Sequence, residues 1–346
     1  MAVVINGTTG IDKVQDDSVD IADLSATGSP SSSTYLRGDN TWATAGGATS
    51  LDGLSDAAVT ATNNIGLGSG AVDSITTGDN NVGLGVNTLT AVTDGNKNVA
   101  IGTSALTTTT SADDNVAIGV DSLTANTTGS QNVSVGTNAM QTNTTGTDNV
   151  AVGVYALATN ADGHNNVAIG RLAMQLNTSG THNVGIGQEA LKANTTAGYN
   201  TAVGRQAMTA NTTGNSNVAI GYHAAVTATT GSKNTVVGMD AGKYSTGAYN
   251  TVLGQEAGNS LGQGNTNTCI GYRAGKSIAG DGGAGGVDNI CIGAGAGFDT
   301  NAITGGRWNI IIGNWARGQG GNYEAETVIG YNVGGGAENR FTFGIN

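Results

Sequence analysis

The sequence predicts an all-β chain: a parallel β-solenoid wound from coils of about seventeen residues. Three observations predict it. A pentapeptide of the form Asn-Val-Ala-Ile-Gly recurs at a fixed interval, bulky and small residues alternate within it, and the composition suits a thin coil. Gly accounts for 58 of 346 residues, charged residues for 11% and aromatics for 4%. Ordinary globular chains carry about 25% charge and about 7% Gly. Too few large side chains are present for a conventional layered core, yet 38% hydrophobic residues is too apolar for disorder.

The copies start at Asn64, Asn81, Asn98, Asn115, Asn132 and Asn149, then Asn166, Asn183, Asn200, Asn217 and Asn234, always seventeen residues apart. The spacing then loosens through Asn250, Asn267, Asn289 and Asn309, and two degenerate copies follow at Glu326 and Arg340. A fixed period of this length signals a repeat architecture, and seventeen residues cannot hold a helix, a strand and their connections.

Within a copy, bulky β-branched residues take the second and fourth places (Val99 and Ile101) around a small third residue. That alternation is the signature of a strand with unlike faces. The fifth place is always Gly, which predicts positive φ or a backbone packed too close for a Cβ. The leading Asn is expected to tolerate the left-handed region, and its stacked amides to bond from coil to coil as a ladder. A second apolar pair at the eighth and ninth places (Ala105-Leu106, Ala156-Leu157) precedes Asn-Thr-Thr-Gly turn chemistry at 126–129, 143–146 and 211–214. Each coil is therefore expected to hold two short strands and two turns. The Val/Ile face is expected to pack inside the coil, leaving the small-residue face to meet water or another chain. Burial of such a face around one axis predicts an obligate homotrimer.

Several function classes are excluded at this level. A net charge of −12 gives no electrostatic footprint for nucleic acid. The apolar runs are too short to cross a bilayer, so no membrane insertion is expected. Residues 1–10 lack the pattern of a secretory signal, which suggests assembly in the cytoplasm of the producing cell. His164, His182 and His223 fall at different places of the repeat, so no metal site is expected, and no cofactor. Carboxylates such as Asp113, Asp114, Asp281 and Asp288 sit in turns, so the chain reads as a non-enzyme. Cys269 and Cys291 occupy the third place of their copies and read as small buried thiols.

Three regions follow from the repeat: residues 1–60 without it, a regular shaft over 61–240, and an irregular end over 241–346. In the last region the ninth place becomes Gly (Gly242, Gly258, Gly275, Gly297), insertions fall near 276–288 and 298–308, and aromatics concentrate. Eleven of the fifteen aromatics lie beyond residue 221. Insertions in repeat proteins map to loops that often bind. Tyr272, Arg273, Phe298, Trp308, Trp315, Tyr323 and Tyr331 are accordingly candidate receptor-binding residues, with aromatic faces suited to sugar rings. Phe341 and Phe343 are expected to close the open end of the coil stack.

Segments such as NTVLGQEAG (250–258) and NTCIGYRAG (267–275) resemble the head repeats of trimeric autotransporter adhesins of the YadA type. The resemblance implies a left-handed parallel β-roll, trimeric and adhesive. Similar repeats occur in bacteriophage tail fibres, and GSPSSSTYLRGDNTWA (28–43) resembles a segment of such virion proteins. ENRFTFGIN (338–346) resembles the junction before a C-terminal chaperone that such fibres remove. These resemblances imply a phage tail fibre located in the virion. Residues 1–60 would attach to other virion proteins through an acidic stretch (Asp16, Asp17) and the segment bearing Tyr35 and Trp42, and the far end would engage a host glycan or outer-membrane receptor. A bacterial trimeric surface adhesin and a capsid-attached decoration fibre are the alternatives.

Overall fold

A computed structural model of the chain describes residues 34–36, 42–44, 63–278, 286–298, 306–318, 324–335 and 339–345. The chain divides into two compact units, Met1–Ala57 and Ala58–Asn346. In the first, β1 (Thr34–Leu36) pairs antiparallel with β2 (Trp42–Thr44), placing Leu36 opposite Trp42. Tyr35 and Trp42 lie on these strands, while Asp16 and Asp17 fall outside the described residues.

The second unit is a parallel β-solenoid. Its strands run from β3 (Ile65–Leu67) to β19 (Phe341–Ile345), each hydrogen-bonded to the next in chain order. The register follows the repeat without slip: Val82 faces Val99, Val99 faces Val116, and Ile290 faces Ile310. Among the described residues β19 does not pair back to β3, so the sheet is an open ladder, rising about 4.8 Å per coil, rather than a closed barrel. The insertions after Ile278 and Phe298 leave the register intact: Cys269 still faces Cys291, and Cys291 faces Ile311.

Each coil holds one strand, of three residues in all but the last two coils. The second strand expected at the eighth and ninth places is absent from the described coils, which turn there instead. Leu106, Met140 and Leu191 have φ of 51°, 45° and 50°. A single left-handed residue bends the chain sharply and interrupts any strand. The same holds at the seventh and seventeenth places, as at Ser104 and Lys97. Positive φ therefore falls on the residue before the leading Asn, not on the Asn as expected.

The strand faces are also reversed from expectation. The small third residue points inward: Ala100, Ala117, Ala151 and Ala168 are fully buried. The bulky second and fourth residues point outward and stay half-exposed, with Ile118 at 37% and Ile220 at 40%. The reason is the width of the coil. Leu106, Leu123, Met140, Leu157 and Met174 at the ninth place already fill the interior with the adjacent Ala, which leaves room for only a small residue on the strand.

Where the ninth residue shrinks, the third grows. Gly242, Gly258, Gly275 and Gly297 stand with Val236, Val252, Cys269 and Cys291, all buried. A Cβ at Gly258 would lie 3.1 Å from Val252 Cγ2 and 2.9 Å from Leu261 Cδ1. At the opposite end of the shaft, Gly66 and Gly83 at the third place accompany Val72 and Leu89 at the ninth. Interior volume is thus traded between the two places, as close packing requires; the coil with Ala219 and Ala225, small at both, is the exception and holds a void.

Two columns of buried Asn run through the coils. In the first, Asn166 Nδ2 donates to Asn149 Oδ1 (3.1 Å) and the Asn166 backbone N–H donates to the same oxygen (3.0 Å). Asn149 Nδ2 in turn donates across its own coil to the Gly163 carbonyl (2.8 Å). This ladder runs from Asn64 to Asn309, whose Oδ1 accepts the Glu326 backbone N–H. The second column, at the twelfth place, spans Asn126 to Asn211; there Asn160 Nδ2 donates to Asn143 Oδ1 (2.7 Å) and to Gly163 O (2.9 Å). Beyond the ends the place passes through Thr109 on one side and Ala228 and Ser245 on the other before it becomes apolar, at Ile75 and Val92 and at Leu261 and Ile278. The Asn-x-Thr patterns at Asn126, Asn143 and Asn211 are thus interior amides, inaccessible to glycosylation in the folded chain.

The fifth-place Gly is required twice over. Gly119 has φ of 134°, and a Cβ there would sit 2.7 Å from the carbonyl carbon of Gly136 in the next coil. This column lets successive backbones approach closely.

Candidate functional site

The distinctive surface cluster lies where the ninth-place Gly begins and the insertions start. The seventh place presents Glu256, Arg273, Gly295 and Trp315 in successive coils, and the tenth presents Lys276 and Phe298. Their single-residue left-handed turns (φ of 55°, 58° and 57° at Glu256, Arg273 and Trp315) aim these side chains along one edge.

Arg273 is the hub. Its Cζ lies 4.9 Å from the Tyr272 ring centroid and 5.7 Å from that of Phe298. Its Nε donates to Glu256 Oε2 at 3.1 Å, and Lys276 Nζ donates to the same oxygen. Lys276 also stands 5.6 Å from the Phe298 ring. The hydrogen bond from Lys276, then that from Arg273, holds the Glu256 carboxyl below the usual glutamate range. The reciprocal bond raises Arg273 further into the always-charged regime. Phe298 and Trp315 meet at 6.1 Å with planes tilted by 55°. Gly295 makes this possible: a Cβ there would lie 2.4 Å from Trp315 Cε3, so the indole rests against bare backbone.

Four expected residues therefore come together: Tyr272, Arg273, Phe298 and Trp315. Two of the other three do not join them. Trp308, 53% exposed, sits at the seventeenth place on a different turn, next to Asn309. Tyr331, 54% exposed, shares the sixth-place column with Tyr272, but Ala294 and Asn314 intervene. Tyr323 lies outside the described residues. Glu256, Lys276 and Gly295 were not anticipated. Their place numbers in the repeat carried the signal, because residues of equal number stack.

A polar row precedes the cluster along the same seventh place. Gln206 Nε2 donates to Glu189 Oε2 (2.8 Å), Gln206 Oε1 faces His223 Nε2 (2.6 Å), and His223 Nδ1 faces Asp240 Oδ1 (3.3 Å). Lys243 pairs with Asp240 at 3.1 Å, and this bond raises the Lys243 ammonium above its ordinary range. The bond from Gln206 lowers Glu189.

Phe341 and Phe343 do not close the coil interior. They occupy the outer face of β19, 67% and 75% exposed, and extend the Val/Ile columns. Cys269 and Cys291 are buried and unbridged; the hydrogen bond with the Cys291 thiol, then burial, pushes the Cys269 thiol well up. Among the described residues no group of three or more His, Cys, Asp or Glu side chains is placed to hold a metal ion. No helix among them is long and apolar enough to cross a membrane.

The fold defines a class, a parallel β-solenoid with an in-register amide-laddered core. Beyond that class, no family model, no curated protein and no solved structure matches the chain.

Proposed function

We propose that the chain is a structural fibre protein of a phage virion, a tail fibre that adsorbs to the host surface, working as a homotrimer of left-handed coils. One observation carries the reading: a long rod with an unpartnered apolar face leads to a cluster of aromatic and cationic side chains. The second- and fourth-place columns, from Ile65 to Phe343, hold only Val, Ile, Leu, Thr and Phe. A contiguous exposed apolar stripe of this kind suits an association surface. It is also free of charge in a chain of net charge −12, so copies meet there with least repulsion. The interface moves accordingly from the small-residue face, which is interior, to the Val/Ile face.

At the far end, Tyr272, Phe298 and Trp315 offer apolar ring faces beside Arg273 and Lys276, an arrangement suited to the C–H faces and hydroxyls of a surface glycan. Residues 1–60 attach to other virion proteins in this reading. Pre-incubating host cells with the purified chain tests it. Occupied receptors block adsorption of the cognate virion, and Trp315→Ala with Arg273→Ala abolishes the block while the circular dichroism stays that of the parent. Undiminished blocking by that double variant would remove the cluster from the function. Binding of the chain to many unrelated cell surfaces would favour a bacterial adhesin instead.

A further inference from the structure

We propose a second binding site, for a single neutral pyranose ring, in the notch left where one coil is a residue short. Asn234 and Asn250 are sixteen residues apart, whereas every earlier interval is seventeen. The missing residue belongs to the Thr-Thr-Gly turn: Thr229-Thr230-Gly231 in one coil becomes Thr246-Gly247 in the next. The fourteenth-place column therefore has a vacancy, with Thr230 above it and Gln263 below.

The vacancy opens into a solvent-open surface depression of about 500 Å³ that extends over three coils. The flanking chains lie two coil rises apart, about 9.6 Å centre to centre, and the clear gap of about 6 Å left between their surfaces admits the edge of a single pyranose ring. The floor is backbone at Gly231 and Gly247, so no side chain blocks entry.

The break also frees polar groups. In preceding coils the thirteenth-place hydroxyl donates to the carbonyl of the next coil, as Thr178 does to Thr195 (3.0 Å), Thr195 to Thr212 (3.1 Å) and Thr212 to Thr229 (3.1 Å). Thr229, which lines the groove, makes no such bond; the relay stops there and resumes at Thr246, which donates to Gly262. Asn265 Oδ1 accepts the Ala248 N–H (2.7 Å), which fixes the amide and leaves its Nδ2 to donate to a ligand. Hydroxyls and amides of both polarities, with no charged wall residue, select a neutral polyol rather than an ion. The groove lies on the turn side, away from the Val/Ile face, and stays open when copies associate through that face.

Saturation-transfer NMR on the full chain tests this, with the methyl α-pyranosides of glucose, galactose and mannose as probes at millimolar concentration. Transfer to the ring protons of at least one probe is expected. Inserting a Thr between Thr246 and Gly247 restores the seventeen-residue coil, places a side chain between Thr230 and Gln263 and abolishes the transfer. Gln263→Ala, which leaves the backbone untouched, weakens binding about tenfold and carries the test if the insertion variant misfolds. All of these measurements use a Trp315→Ala background, which removes the aromatic cluster as a second source of transfer and so separates the two sites. No transfer from any of the three probes, or transfer unchanged in Gln263→Ala and the folded insertion variant, overturns the proposal.

Discussion

The Cys269 sulfur occupies the volume that a side chain at Gly275 would need: a Cβ on Gly275 would stand 2.4 Å from Cys269 Sγ. The same trade between third and ninth places recurs in neighbouring coils, so the two positions form one packing unit. Gly275→Leu alone is expected to destabilise by about 3 kcal/mol or more through overpacking and strain at φ of 60°. Adding Cys269→Ala, which recreates the Ala–Leu pairing of the shaft, is expected to recover most of that loss. Denaturation midpoints of both single variants and the double variant measure the coupling; strict additivity would refute the exchange.

The amide ladders make opposite predictions at two sites. Asn149→Ala deprives the Asn166 backbone N–H and one Asn166 Nδ2 hydrogen of their buried acceptor, an expected cost of about 1–3 kcal/mol for each, while the Gly163 carbonyl keeps its bond from Asn160. Asn211 Oδ1, by contrast, is buried without a partner because Ala228 ends the second ladder. A void of about 10 Å³ lies beside Ala225 and Ala228. Ala228→Asn extends the ladder by one rung and is expected to stabilise by about 1 kcal/mol. A lower thermal midpoint for Ala228→Asn would contradict this account.

Acid should loosen the aromatic cluster. Glu256 is held below its ordinary value by Lys276 and Arg273, so the folded state binds its proton less readily than the unfolded chain does. Its contribution is fully present above the unfolded value, near 4.5, and is lost as pH falls through the depressed folded value. Glu256→Gln removes that dependence. Trp315 fluorescence followed from pH 6 downward reads it, with the parent changing in this window and the variant flat.

Self-association should depend on the outer strand face. Ile169→Glu with Ile220→Glu puts charge into a stripe that has none. Sedimentation is expected to show three copies for the parent and one for the variant, with unchanged circular dichroism. A parent that sediments as a single folded copy would defeat the trimer proposal.

The coil length, the position of the one strand each coil keeps, the Gly column and the first amide ladder were legible in the sequence, because a β-solenoid stacks equal places of its repeat; the second strand expected at the eighth and ninth places is absent from the described coils. Cys269 and Cys291 were read correctly as interior for the same reason. Partners within the cluster were only half legible. Tyr272, Arg273, Phe298 and Trp315 stood out by type, whereas Glu256, Lys276 and Gly295 matter only through the stacking of seventh and tenth places.

What the sequence alone determined is the period, and with it which residues are neighbours along the rod. Tertiary structure decided which way each strand faces. Alternation in Val-Ala-Ile states that two faces differ, without stating which is inside, and burying the bulkier one is the natural expectation. The answer depends on the volume left inside a coil bent by left-handed residues at the seventh, ninth and seventeenth places. Leu106 and its equivalents claim that volume first, so Ala100 turns inward and Val99 and Ile101 are left to the surface.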